Sequence, residues 1–379
     1  VNVFRYVMII IIASFLFVIS LVVLVHEWGH FWTARKLKVK VEEFGFGFSG
    51  RELFGSRFPP KLFTLKKGGV IYSFNPLPFG GFVKIFGEDG EGAGDSESFI
   101  SRPVWQRFAI IFAGVFMNVV LAWFLFSLGA GLGSPAIIDD AAAQGATDVG
   151  VTITSVSSES PAHVEDFRVG DVIVRLKNIQ RGISRDITIL DELQNFTKEN
   201  AGQELTVSIR RGKNILEKNI VPRSNPPEGE GPMGISIALI GIVKTPWYKA
   251  PLKGAETVYS VALLIAGGFY VLAREFVSTG SVPAEIAGPV GIAALSGQSA
   301  ELGLFYFINF IAAISMNLAF LNVLPIPALD GGRLLFLVIE KIKGSRVDQK
   351  IEYALHGAFF VILILLIVLI TYRDVARLL

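Results

Sequence analysis

Charge-free apolar runs recur along the chain at lengths that matter for a bilayer. Val7–Val25 is nineteen residues interrupted only by Ser14 and Ser20, and Phe108–Gly133, Leu302–Leu329 and Tyr353–Tyr372 are comparable. About twenty apolar residues cross the hydrocarbon layer as a helix, so four transmembrane helices are predicted. Val7–Val25 is longer than an ordinary signal-peptide core, lacks a small-residue cleavage pattern, and is read as a retained span. Val258–Ala273, sixteen residues between Glu256 and Arg274, is short for a crossing and is expected as an interfacial or protein-packed helix.

Between these runs the period changes. Glu43–Phe48 and Gly69–Phe74 alternate as strands do, Asn75-Pro76-Leu77-Pro78 signals a turn, and Phe79–Lys84 follows. Residues 32–103 therefore read as a cytoplasmic or membrane-associated β region. They end in the Gly- and acid-rich Glu88–Ser98, a mobile loop by composition. Residues 149–222 are polar and β-branched, a small domain with strands at Val151–Val156, Val169–Ile173 and Leu205–Arg210. A turn opens at Ser160-Pro161-Ala162, and a helix is expected over Asp191–Asn200. Asn225–Pro232 reads as a linker, and 223–301 as linker plus interfacial helix. The membrane elements are then 1–31, 104–135, 302–340 and 351–373.

Composition agrees: 51% hydrophobic and only 18% charged residues imply several spans. A net charge of +2 gives no reason to expect a nucleic-acid partner. The distribution of charge says more. Twelve Lys and Arg lie between Phe31 and Arg107, against Arg5 alone in the N-terminal flank. The positive-inside rule puts this loop in the cytoplasm, with the Lys341–Lys350 loop beside it. With four spans, both termini and the 149–222 domain are outside. Cysteine is absent, which excludes thiolate sites and leaves any metal to His, Asp or Glu.

His26-Glu27-Trp28-Gly29-His30 closes the first run. On a helix His26 and His30 share a face one turn apart and can reach one ion, usually Zn2+ for such a set. Glu27 can take a proton from metal-activated water. Taken alone, the pattern also fits two histidines at a helix end on the membrane surface. The third run holds Asn317, Asn322, Pro325 and Pro327, and ends in Asp330-Gly331-Gly332. The prolines break the helix, and Asp330 is costly near hydrocarbon without a partner. The four-span topology brings Asp330 to the same membrane face as His26 and His30, which argues for it as third ligand. Asn118, within Gly114-Val115-Phe116-Met117-Asn118, is a polar group in the second run and is expected to face protein or a water-filled cavity. His163 reads as a surface histidine, and His356 as a bundle histidine or a substitute ligand.

H-E-x-x-H after a first span, G-x-x-x-N in a second and N-x-x-P-x-P-x-L-D-G in a later one resemble the site-2 protease family of intramembrane zinc metalloproteases, in the bacterial regulator-of-sigma-E-protease type. The 149–222 segment resembles a PDZ domain through its S-P-A and G-D-x-I elements, with Asn178-Ile179 where many have Asn-Gly. The resemblance implies a polytopic α-helical membrane protein with a membrane-associated β region and an inserted extracytoplasmic PDZ-like α+β domain. It also implies a bacterial inner-membrane location and a role in stress response. The implied activity is cleavage of transmembrane segments of single-pass proteins such as anti-sigma factors, after a cut by a site-1-type protease. His26, His30 and Asp330 are the implied zinc ligands and Glu27 the base, with Asn322, Pro325 and Pro327 shaping the site. Gly45, Phe46 and Gly47 with Gly80, Gly81 and Phe82 are implied to hold the substrate as an extended strand. A single PDZ-like copy departs from the two tandem copies of the best-known members.

Two other readings come from different classes. A catalytically silent scaffold recruiting partners through the PDZ-like domain is disfavoured by an intact His26, Glu27, His30 and Asp330. A metal transporter needs polar groups at mid-membrane depth in several spans, whereas these residues cluster at one face.

Overall fold

The computed structural model describes residues 2–49, 61–138, 145–212, 214–227, 229–280 and 287–378. It divides into a helical unit (Val1–Ser127, Pro251–Ala300, Phe307–Leu379) and a β-rich unit (Leu128–Ala250, Glu301–Tyr306).

In the helical unit the first apolar run continues as helix α1, Asn2–Lys36, well beyond its last uncharged residue. Arg35 and Lys36 in its final turn suit the negative end of the helix dipole. A four-stranded sheet follows: β1 Val41–Phe48, β2 Phe63–Lys67, β3 Val70–Phe74 and β4 Leu77–Ile85. Its order is β2-β3-β1-β4, with β1 and β3 parallel and β4 antiparallel to β1 at an edge. The turn expected at 75–78 closes sooner, because Leu77 and Pro78 already belong to β4. The sheet packs through Val41, Val70 and Ile85 on Phe31, Ile110 and Leu334. Along its other flank β4 runs beside α1, where Ser20 Oγ donates to Pro78 O at 2.7 Å.

The second run forms α2, Val104–Leu132. Later in the chain the helical count departs from expectation. Among the described residues five helices, not about four, are long and apolar enough to cross a membrane. The addition is Ala250–Glu275, most of a 30-residue helix Ala250–Thr279. The sequence suggested a short segment because Glu256 and Arg274 bounded the uncharged run, yet both charges sit within the helix. It packs on its neighbours: Trp123 Nε1 donates to Pro251 O, and Phe269 stacks on Phe320 with ring centres 5.0 Å apart.

The third run is also divided. Helices Pro289–Leu302 and Leu304–Val323 meet at Gly303, whose φ of +120° a residue with a Cβ rarely adopts. Pro325 and Pro327 lack an N–H and cannot continue the second of these. A loop therefore spans Leu324–Leu329, and an amphipathic helix starts afresh at Asp330 and runs to Lys343. The last helix is Gln349–Leu378.

The β-rich unit has a seven-stranded sheet. Labelled in chain order, its strands are β5 Ser134–Ile137, β6 Thr147–Val156, β7 Val172–Asn178, β8 Ile183–Asp186, β9 Leu205–Arg211, β10 Asn214–Ile220 and β11 Ile235–Val243. Order β10-β9-β7-β6-β11-β5, with β8 on β7, places β11 inside the sheet. That strand lies in the stretch 223–301 expected to be linker and helix. Ile235–Val243 shows no polar–apolar alternation because Ser236 is its one polar side chain. The turn expected at Ser160–Ala162 is a one-turn helix, Pro161–Val164, whose His163 N–H is capped by Ser160 Oγ. Helix Leu190–Glu199 lies within a residue of its expected bounds and buries Leu193 and Phe196.

Candidate metal centre

Helical spacing puts His26 and His30 on one face of α1, with ring centres 4.7 Å apart. Both are buried. Asp330 arrives from the start of the helix after the proline loop. His26 Nε2 is 2.9 Å from Asp330 Oδ2, His30 Nε2 is 3.4 Å from it, and the two Nε2 atoms are 3.1 Å apart. Among the described residues this is the one group of His, Asp and Glu whose donor atoms converge on a single point.

Two glycines make the approach possible. A Cβ at Gly29 would fall 2.3 Å from Ala113 O, so α1 and α2 touch backbone to backbone there. A Cβ at Gly114 would fall 2.4 Å from His30 Nε2 and 2.8 Å from His26 Cε1. Any side chain at Gly114 would occupy the space into which both imidazoles point.

The outer ring nitrogens set the tautomers. His30 Nδ1 is 2.9 Å from Ile110 O, a pure acceptor, so Nδ1 carries the proton and Nε2 keeps its lone pair. His26 Nδ1 faces the Asn118 amide at 3.3 Å. Asn118 is fully buried and its Oδ1 has no hydrogen-bond partner among the described residues. Turning that amide over lets His26 Nδ1–H donate to Oδ1, which satisfies the orphan and frees His26 Nε2 as well. Asp330 Oδ2 lies close to both imidazoles yet has no aligned donor. Two imidazole lone pairs and an orphaned carboxylate oxygen thus face one space, a donor set that fits a single divalent ion. Atoms bound at about 2.0–2.1 Å to a tetrahedral zinc stand about 3.3 Å apart, close to the three separations found here.

Around this cluster the remaining expected residues fall at different distances. Asn322 Nδ2 is 3.4 Å from His26 Nε2. Glu27 borders a cavity of about 230 Å3 together with His30, Asp330, Phe82, Val83 and Arg333. The Val83 backbone N–H lies beside its carboxylate. Gly81 sits against Glu27: a Cβ there would be 3.9 Å from Glu27 Cγ and 2.8 Å from Gly45 O. Gly80 would press on Val23 in the same way, at 3.0 Å. Phe82 covers Gly45 from the opposing strand, and Gly47 and Phe46 lie one strand further in. Asn317 does not join the cluster; its Nδ2 donates to Ala313 O within its own helix. Pro325 and Pro327 shape the loop without a polar contact. His163 is exposed in the β-rich unit.

Sequence reasoning missed two side chains that border the cavity, Arg333 and Glu88, which form an ion pair beside it. Arg333 stands one helical turn after Asp330, so the spacing alone could have placed it there. The further pair of Arg107 with Glu340, at 3.0 and 2.5 Å, ties α2 to the Asp330 helix and had no signal in either segment.

Comparison with known proteins gives a consistent result. The family model described as peptidase family M50 matches residues 14–366. A relative from Clostridium perfringens that carries a zinc-metalloprotease name is 32% identical, over 94% of this chain and 96% of its own length. One from Rickettsia conorii, similarly named, is 31% identical over 97% and 99%. Zinc metalloprotease RasP of Oceanobacillus iheyensis is 25% identical over 97% of this chain and 99% of its own.

Proposed function

The chain belongs to peptidase family M50 and is a zinc metalloendopeptidase of the site-2 protease type, and from this premise we propose that it cuts transmembrane segments of single-pass membrane proteins. In this reading zinc is held by His26 Nε2, His30 Nε2 and Asp330 Oδ2. The observation that carries it is the spacing of those three atoms inside a bundle of apolar helices.

When bound, zinc supplies a Lewis acid that lowers the pKa of a water and polarises the scissile carbonyl. Glu27 takes the proton as the water oxygen attacks the carbonyl carbon, then delivers it to the departing amide nitrogen. The products are a carboxylate and an amine. The Asn322 amide, one contact from His26, donates to the oxygen that gains charge. A substrate helix hides its carbonyls, so it must unwind before attack. The edge strand β4, which touches Glu27 through Val83, is the template on which the freed backbone pairs.

The substrate class is anti-sigma-factor-type proteins already cut by a site-1-type protease. The protein lies in a bacterial inner membrane with Ala250–Glu275 packed in the bundle without a full crossing, so that both basic loops are cytoplasmic, and residues 149–222 act outside as a PDZ-like filter. The experiment is cleavage of a tagged single-span substrate in detergent by wild type, by Glu27→Gln and by a chain lacking 149–222. Cleavage by wild type alone of the first two, abolished by a zinc chelator, supports the reading. Loss of size discrimination in the deletion supports the filter. Equal cleavage by Glu27→Gln contradicts the catalytic assignment.

A further inference from the structure

The loop that leads to Asp330 is short of hydrogen-bond donors within itself. Pro325 and Pro327 have no N–H. The Ile326 and Leu329 N–H groups close small turns on Leu324 O and Ile326 O. Ala328 remains. Its φ is +81°, a left-handed conformation that a residue with a Cβ adopts only when its surroundings impose it. The Ala328 N–H is taken by a side chain from the last helix, His356, whose Nδ1 accepts it at 2.8 Å. Accepting at Nδ1 puts the ring proton on Nε2, which has no hydrogen-bond partner among the described residues. The ring also packs on Phe336, on the helix that Asp330 begins, with centres 5.7 Å apart.

A shift at Ala328 has little room to die away before Asp330. A Cβ on Gly331 would meet Leu324 O at 1.9 Å, and one on Gly332 would meet Ile326 O at 2.6 Å. The loop and the first turn of the following helix are therefore in backbone contact. Rotation of the Ala328 peptide must be passed on to the residue two places further along.

We propose that His356 is a positioning residue: it is not a ligand, but its Nδ1 holds Ala328 in the left-handed conformation that points Asp330 at the two imidazoles. The inference rests on the reading of Asp330 as a zinc ligand. An outer partner of a metal ligand is worth about 10–100-fold in metal affinity, and here that partner acts through the backbone.

The test is zinc affinity of the purified full chain, by competition with a chromophoric chelator, alongside cleavage of the single-span substrate. His356→Leu removes the acceptor and keeps the bulk; His356→Asn restores an acceptor, Oδ1, near the place of Nδ1. His356→Leu is expected to bind zinc about tenfold or more weakly and to lose kcat more than KM. His356→Asn is expected to recover most of both. Ala328→Gly in the His356→Leu background is expected to recover part, because glycine accepts the left-handed conformation without an anchor. Wild-type affinity in His356→Leu, or equal losses in His356→Leu and His356→Asn, would overturn the inference. Asp330→Ala separates the two levels: if it too binds zinc as wild type does, the ligand assignment has failed rather than the role of His356.

Discussion

The two units of this chain differ in what they turn outward. The β-rich unit encloses an aliphatic core, Val151, Ile153, Leu176, Leu205, Val207 and Ile209, with Ser160, Asn178 and Asp171 also buried, while ion pairs such as Arg168–Asp166 and Arg175–Asp186 lie near water. In the helical unit Asn118, Ser296 and Ser315 are completely buried, His26 and His30 nearly so, and large apolar residues such as Phe360 and Leu365 face outward. No residue in the apolar window of the last helix is buried by protein. The difference follows from the surrounding medium. Water drives aliphatic groups together, whereas hydrocarbon accepts them and instead forces polar groups to find partners inside the protein. A cluster of histidine, carboxylate and amide groups that fits a metal ion is therefore at home in the interior of the helical unit and has no counterpart among the described residues of the other.

The comparison is tested most severely by single histidines. His26→Ala is expected to abolish zinc binding and cleavage together, because two remaining ligands hold the ion poorly. The exposed His163→Ala should change neither. Glu27→Gln should keep the zinc and lose about 10²–10⁴-fold in cleavage rate, the usual worth of a general base. Metal analysis of the purified chains and a cleavage assay read all three. Gly114→Val comes next. Its side chain would fill the space between the imidazoles, so zinc content should fall to background while the helical circular dichroism stays unchanged. Retained zinc would mean that the helices can separate at Gly29 and Gly114.

Equal truncations should have unequal effects in the two units. Leu205→Ala is expected to destabilise the β-rich unit by about 2–5 kcal/mol, as for an enclosed leucine. Leu365→Ala, on the lipid-facing surface, should stay within about 0.5 kcal/mol. Hydrogen exchange in detergent, compared at backbone amides of each unit, distinguishes these outcomes.

The smallest effect concerns acid. Partial burial pushes the Asp166 carboxyl up, but hydrogen bonds from Arg168 and Arg211 outweigh it and hold the group below the usual carboxylate range. A group depressed on folding contributes stability that is complete above the ordinary value near 4 and is lost as pH falls through its folded value. Asp166→Asn should flatten the acid-side loss of stability of the β-rich unit slightly, and the screening of this exposed group keeps the change small.

Much of this was legible in the sequence. His26 and His30 sit one helical turn apart with Glu27 next to the first, at the end of an uncharged run, and Asp330 follows two prolines, so local chemistry marks each of them as a candidate. The strand at 205–210 showed its alternation because one face meets a core. Other features depend on distant parts of the chain. The parallel pairing of β1 with β3 is a matter of topology that neither strand encodes. β11 shows no alternation because Ser236 is its one polar side chain. The helix over 250–279 was shortened in the reading by Glu256 and Arg274, charges that a helix end tolerates where its flank reaches polar surroundings. His356 read as a bundle histidine or a substitute ligand, and its contact with Ala328 left no signal, since that partner is a backbone N–H in a loop 28 residues earlier.

The central claim is that one zinc ion is held by two imidazoles and one carboxylate. X-ray absorption at the zinc edge of the purified full-length Glu27→Gln protein tests it most directly, because this variant should hold the metal without turnover. The account predicts one zinc per chain with four nitrogen and oxygen neighbours at about 2.0–2.1 Å, and the multiple scattering of two imidazoles. A shell of three or more imidazoles, or a chain that binds no zinc, would contradict it.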